Sequence, residues 1–250
     1  MSTGDDRPIA RGDAPVYTAV FGALFRVRPF GRESPRAFGN AELAGLVGWW
    51  KFDETQGTAA ADSSGGNHTG TLTGQAKWAK GRIGGAVDLD GAGSFVRIAD
   101  KAAFDFGGEA TVAAWVNIRS VPVEYAALIA KGDTAWRLST VRQEKRYHFA
   151  VNDYGKFGEE MSVNASQPVN TGEWHHLAGV YDGSRMSLYV DGKLSESHPW
   201  NGVIGHNDFE VTIGENVESK ARFFDGLIDD VRVYNCALPE RRIKALAAGQ

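Results

Sequence analysis

The chain has 250 residues, 42% hydrophobic and 23% charged, and a net charge of −4. That is enough apolar material for a packed core, without the basic footprint over the whole chain that nucleic-acid binding requires. A single cysteine, Cys236, excludes an internal disulfide, and no uncharged apolar run reaches the roughly 18 residues that span a bilayer. Glycine, at 31 residues, exceeds its usual share of about 7%, so many tight turns are expected.

Residues 1–45 read as an N-terminal arm. Arg7, Arg11, Arg26, Arg28, Arg32 and Arg36 outnumber Asp5, Asp6, Asp13 and Glu33, and residues 14–25 between them are uncharged and largely apolar. A signal peptide would place positive charge before its apolar stretch, whereas Asp5, Asp6 and Asp13 precede this one. Val16, Tyr17, Val20, Phe21, Leu24 and Phe25 would gain little from solution disorder. With Arg26 and Arg28 behind them, Val16, Tyr17, Phe21 and Phe25 are the expected docking residues for a partner assembly or a membrane surface.

From Leu46 the pattern is short strands separated by turns. Leu46 to Phe52 is strand-like, and the cluster Asp62-Ser63-Ser64-Gly65-Gly66-Asn67 is a turn. Alternation marks strands at 85–89, 95–98, 110–118, 128–131, 136–141, 147–152, 175–181, 187–190, 211–214 and 227–234. Asp182-Gly183 and Asp191-Gly192 are hairpin signals, because Asp-Gly tolerates positive φ. In the last strand Asp229, Val231 and Val233 should share one face, opposite Ile228, Asp230, Arg232 and Tyr234. Only Pro239 to Leu246 reads as helical. Many strands, no βαβ alternation and one terminal helical turn predict an all-β antiparallel sandwich over residues 46–250.

Several blocks carry a resemblance. Trp50-Lys51-Phe52-Asp53-Glu54, Gly81-Arg82-Ile83-Gly84-Gly85-Ala86-Val87-Asp88, Glu173-Trp174-His175-His176-Leu177 and Phe224-Asp225-Gly226-Leu227-Ile228-Asp229-Asp230-Val231 resemble, in order and spacing, laminin-G-like, concanavalin A-like jelly-roll domains. The resemblance implies two antiparallel sheets face to face, with the first and last strands as neighbours. It also implies an extracytoplasmic or cell-envelope setting.

The chain holds no Gly-x-Ser-x-Gly, His-Glu-x-x-His or phosphate-loop signature, and no Glu-x-Asp-x-Glu strand to place two carboxyls side by side for glycoside hydrolysis. His175 and His176 are neighbours on a strand and face opposite ways, so they cannot chelate one metal. Loops rich in Asp and Asn suit calcium, which takes six to eight oxygens. Asp53, Asp62, Asn67, Asp229 and Asp230 are the candidate donors, the resemblance favouring Asp62, Asn67 and Asp229. The competing reading has Asp62 capping its own turn and Asp229 accepting backbone hydrogen bonds. Trp78, Trp115, Trp136 and Trp174 lie in strand-like stretches and are expected in the core. Trp200, in the loop His198-Pro199-Trp200-Asn201-Gly202, is the candidate sugar platform, with Tyr125 and Tyr154 beside loops.

These residues point to a non-catalytic module binding carbohydrate or a glycoprotein, with a structural calcium. A structural or accessory subunit anchored by residues 1–40 is the alternative, and a glycoside hydrolase the second.

Overall fold

The computed structural model describes residues 44–99, 102–152 and 160–250. Among these, sixteen strands, numbered along the chain, form two eight-stranded sheets. Sheet A runs β14 (Lys193–Pro199), β13 (Arg185–Val190), β12 (Trp174–Tyr181), β7 (Ala110–Ser120), β16 (Asp225–Tyr234), β5 (Gly85–Asp90) and β4 (Lys77–Lys80); β1 (Leu46–Trp50) also pairs with β16. Sheet B runs β11 (Glu160–Pro168), β10 (Arg146–Asn152), β9 (Trp136–Val141), β8 (Ala127–Ala130), β15 (Val211–Ile213), β6 (Phe95–Ile98), β3 (Gly70–Thr73) and β2 (Ala59–Ala60). Neighbours are antiparallel throughout, and the pairing of β1 with β16 joins the first strand to the last. This is the all-β jelly-roll sandwich that the alternation and the resemblance predict.

The inner faces of the two sheets supply the core. Val112, Ala114 and Val116 of β7 and Val87 and Leu89 of β5 are buried with Leu138 of β9 and Phe149 and Val151 of β10. Each large side chain so buried contributes about 1.5–3 kcal/mol. A second apolar layer lies on the outer face of sheet A, where α1 (Glu240–Ala247) sets Ile243 and Leu246 against Ala113, Ala178, Val180 and Tyr234. Both hairpin signals form turns. Asp182 Oδ1 accepts the amides of Ser184 at 2.9 Å and Arg185 at 2.7 Å, and Asp191 and Gly192 both take positive φ.

One face assignment changes. A bulge between Asp229 and Arg232, with Asp230 at φ 48°, breaks the alternation of β16. Ile228, Val231 and Val233 enter the core, and Asp229 leaves the face it was expected to share with Val231.

The strands that alternation does not mark include β2, β4, β11 and β14, the terminal strands of the two sheets. An edge strand has less of its surface to bury, so its sequence carries charge and small residues instead of a clean apolar stripe. β4, Lys-Trp-Ala-Lys, and β14, Lys-Leu-Ser-Glu-Ser-His-Pro, are of this kind.

Candidate functional site

Two of the expected calcium donors, Asp62 and Asp230, are already engaged by protein groups. Asp62 Oδ1 accepts the amides of Trp49 at 3.0 Å and Ser64 at 2.8 Å, while Oδ2 accepts the Ser64 hydroxyl at 2.8 Å and the His68 amide at 2.9 Å. Burial opposes the charge on Asp62, but these hydrogen bonds outweigh it and hold the carboxyl below its ordinary range. Asn67 occupies the exposed left-handed corner of the same turn, at φ 62°. Asp53 Oδ1 accepts the Gly85 amide at 2.8 Å. Asp230 accepts the Trp49 indole N–H at 2.6 Å and pairs with Arg232 at 3.1 Å. Among the described residues no group of three or more His, Cys, Asp or Glu side chains is placed to hold a metal ion. Asp62 and Asp230 are poorly placed to hold calcium: four donors fill the lone-pair positions of Asp62, and a guanidinium sits on Asp230.

Asp229 ties two of the family-like blocks together. Its Oδ2 accepts the Ile83 amide at 2.8 Å, anchoring the turn Gly81-Arg82-Ile83-Gly84-Gly85 on β16, while Oδ1 has no hydrogen-bond donor. The side chain is fully buried. Burial pushes its pKa up to about 7, against the Ile83 hydrogen bond and with help from the Asp230 charge. Two strands away in the same row, across Trp115, lies His176. It is 1% exposed, its ring 5.4 Å from that of Trp115, and burial followed by the Arg232 charge brings its pKa down to about 4. His175 faces the other way and holds Asp191 Oδ2 at 2.8 Å, so the two rings cannot share a metal.

Trp200 is not an exposed platform. It is 8% exposed, with its ring 4.8 Å from that of Tyr181, and a Cβ on Gly202 would come within 2.2 Å of the indole. The loop folds its one large apolar side chain onto the sandwich, because burial of that ring outweighs leaving it in water. Tyr125 is half-buried and crowded. The guanidiniums of Arg137 and Arg222 each lie 5.1 Å from its ring, and the His148 ring lies at 5.2 Å. Asp133 binds both arginines, at 3.0 Å and 2.6 Å, so the ring is part of a protein-internal polar network on the outer face of sheet B. Tyr154 and the docking residues Val16, Tyr17, Phe21, Phe25, Arg26 and Arg28 lie outside the described residues.

The aromatic that does line a cleft is Trp78. β4 is the last strand of sheet A, and Trp78 stands half-buried on it, its ring 6.3 Å from that of the core residue Phe52. The indole N–H donates to the Gly57 carbonyl at 2.9 Å, which fixes the ring's orientation. Trp78 lines an open cleft of about 550 Å³ together with Asp53, Glu54, Thr55, Lys80 and the Gly84-Gly85 turn. Glycine is required at that turn: Gly84 has φ 70°, and a Cβ on Gly85 would lie 2.1 Å from the Phe52 carbonyl oxygen. Both acids are held in place, Asp53 by the Gly85 amide and Glu54 Oε1 by the Ala61 amide at 2.7 Å. A fixed aromatic ring lining a cleft with fixed carboxylates and an ammonium can take a molecule with an apolar ring face and a rim of hydroxyls. The available signal was a tryptophan between two lysines, which marks an edge position and not a core one.

Two antiparallel sheets packed face to face, with a cleft at one edge, place the molecule in the jelly-roll class. The Laminin_G_3 family, described as the concanavalin A-like lectin/glucanases superfamily, matches residues 90–244, and the chain belongs to it. The Trp78 cleft lies ahead of that segment. Domain 4 of AbnA, a GH43 extracellular arabinanase from Geobacillus stearothermophilus in complex with arabinotriose, shares the fold with a TM-score of 0.65 at 23% identity, over 82% of this chain and 98% of that one. The binding domain of Botulinum Neurotoxin DC in complex with SialylT has a TM-score of 0.65 at 14% identity, over 83% of this chain and 52% of that one. An "Asparagine-rich protein" of Margaritifera margaritifera is 35% identical over 71 residues, which is 28% of this chain and 10% of that protein. The chain thus spans a small part of that relative and about half of the toxin domain. The fold resembles that of binding domains.

Proposed function

We propose that this domain is a non-catalytic glycan-binding module whose sugar platform is the Trp78 cleft. The observation that carries the reading is a half-buried, hydrogen-bonded tryptophan lining a cleft of about 550 Å³ together with the pinned carboxylates Asp53 and Glu54. The apolar face of a pyranose or furanose ring stacks on the indole, and its hydroxyls donate to Asp53 and accept from Lys80. Carbohydrate-bound relatives of the same fold support the ligand class. Asp53 and Glu54 are anchored to backbone amides, which suits fixed acceptors better than a travelling proton. A calcium is not part of this reading, because protein groups already engage Asp62 and Asp230. Among the described residues no helix is long and apolar enough to cross a membrane. A glycan ligand places the protein outside the cytoplasm, where such ligands are displayed.

The test is a screen of the full chain against a panel of oligosaccharides, followed by titration of the best binder into Trp78→Ala. Loss of an interface tryptophan costs about 2 kcal/mol or more, so affinity should fall at least about thirtyfold. Unchanged affinity in Trp78→Ala would overturn the assignment of the cleft.

A further inference from the structure

A second cavity, of about 410 Å³, opens at one end of the sandwich, where β7, the β9–β10 turn and the end of β11 meet. Arg119, Arg142 and Lys145 line it with Val121, Val169 and Thr171. The three cations differ in how they are matched. Arg119 is held by Asp88 at 2.6 Å, by Asp225 at 2.5 Å and by the Leu89 carbonyl at 3.1 Å, and these carboxylates raise its pKa further. Asp225 also accepts the Ser120 hydroxyl. Arg142 and Lys145 are exposed and have no acidic partner among the described residues.

Their positions are fixed by the backbone. The Lys145 amide donates to the Arg142 carbonyl at 3.3 Å, closing the turn, and Lys145 itself sits at φ 50°. The Lys145 carbonyl accepts the Val169 amide at 2.7 Å, which locks the turn onto the end of β11. Two carboxylates lie at the turn and both are engaged elsewhere: Glu124 accepts the Gln143 amide at 3.2 Å, and Glu144, within the turn, accepts the Asn164 side-chain amide at 3.1 Å and lies 3.7 Å from Arg146. Val121 and Val169 give the cavity an apolar floor, and the Thr171 side chain adds a hydroxyl. The volume is that of a small-ligand pocket, not of an extended peptide groove.

We infer that this cavity is a subsite for an acidic sugar residue, its carboxylate or sulfate bound by Arg142 and Lys145 and its ring seated on Val121 and Val169. The inference extends the glycan reading, but it uses none of the Trp78 cleft's side chains, so the two fail separately. Charge-assisted hydrogen bonds to a guanidinium and an ammonium give the anion its hold, and salt weakens it.

The experiment titrates the full chain with a glucuronate-containing or sulfated disaccharide and with its neutral counterpart, at low and at moderate salt. Inorganic sulfate and vesicles containing an anionic phospholipid serve as further probes. The acidic disaccharide should bind at least about tenfold more tightly than the neutral one at low salt. It should shift the amide resonances of Lys145 and Val169. Arg142→Gln with Lys145→Gln should abolish that preference while leaving binding of the neutral disaccharide as it was. Inorganic sulfate shifting the same two amides supports the site. Equal affinity for the acidic and neutral disaccharides in the unmodified chain overturns the proposal, as does a preference that survives in the double variant. Binding of anionic vesicles, with no response to the acidic disaccharide, overturns it in favour of a lipid headgroup.

Discussion

The two ends of sheet A each carry a tryptophan, and they treat it in opposite ways. At the β14 end the edge of sheet B comes alongside: the Ser166 amide of β11 donates to Ser195 Oγ at 2.9 Å, and the Ser195 hydroxyl reaches Gln167. Sheet A and sheet B are stitched together there, and Trp200, just past β14, is folded down against Tyr181. At the β4 end the strand borders an open cleft, so Trp78 packs against Phe52 and is only half-buried. The residue type is the same, and the closure of the sandwich beside it decides whether the ring is buried or lines an open cleft.

The largest effect that separates the two ends is on stability. Trp200→Ala removes a buried ring and should destabilise the fold by about 3–5 kcal/mol, with little effect on the affinity of the protein that remains folded. Trp78→Ala should cost only about 1–2 kcal/mol, because half of the ring is already exposed, and should instead abolish sugar binding. Urea unfolding of both variants, with binding measured on the same samples, checks the crossing pattern. If Trp78→Ala proved as destabilising as Trp200→Ala, the two ends would not differ as described.

Between the ends, the middle of sheet A holds two buried titratable groups of opposite tendency. Asp229, with its pKa raised to about 7, binds its proton more tightly in the folded state, so its contribution falls as pH rises from about 4 to 7. His176, lowered to about 4, binds its proton less tightly when folded, so its contribution rises with pH from about 4 to 6.5. Asp229 is worth roughly 4 kcal/mol across its window and His176 roughly 3 kcal/mol, with opposite signs, so they partly offset each other and the unmodified protein should show a shallower profile than either variant. Asp229→Asn should leave stability climbing with pH, and His176→Gln should leave it falling. Denaturant midpoints at pH 4.5 and 7.5 read this directly; slopes of the same sign in both variants would contradict it.

At the β4 end itself, Gly85→Ala drives a Cβ toward the Phe52 carbonyl and should cost about 1–3 kcal/mol while also displacing Asp53 and weakening sugar binding. The smallest effect expected is that of a chelator. With all four lone-pair positions of Asp62 filled by protein donors, the melting temperature should not move in the presence of EDTA. A fall of several degrees would show that a metal binds through donors other than these.

What was legible in the sequence follows burial. Strands with an inside and an outside, such as β6 and β13, announce themselves by alternation, and Asp182-Gly183 and Asp191-Gly192 specify their turns by backbone chemistry alone. The terminal strands do not, because exposure leaves their composition free, and the Trp78 cleft was built on one of them. Asp62 could be read as a turn cap or as a metal donor, since both uses want a short carboxylate beside glycine. Only the positions of the Trp49 and His68 amides decide between them. The bulge in β16 was likewise invisible: nothing in Ile228-Asp229-Asp230-Val231 signals that Asp230 takes a positive φ.

The most direct test of the glycan-binding cleft follows one proton. The Trp78 indole N–H, bonded to the Gly57 carbonyl, gives a resonance that Trp78→Phe would assign by its disappearance. During titration with the best oligosaccharide from the panel, that resonance should shift along the same binding curve as the calorimetric heat, while the buried Trp200 indole resonance stays in place. Saturable binding that moves other indole signals and leaves Trp78 unperturbed would contradict the account.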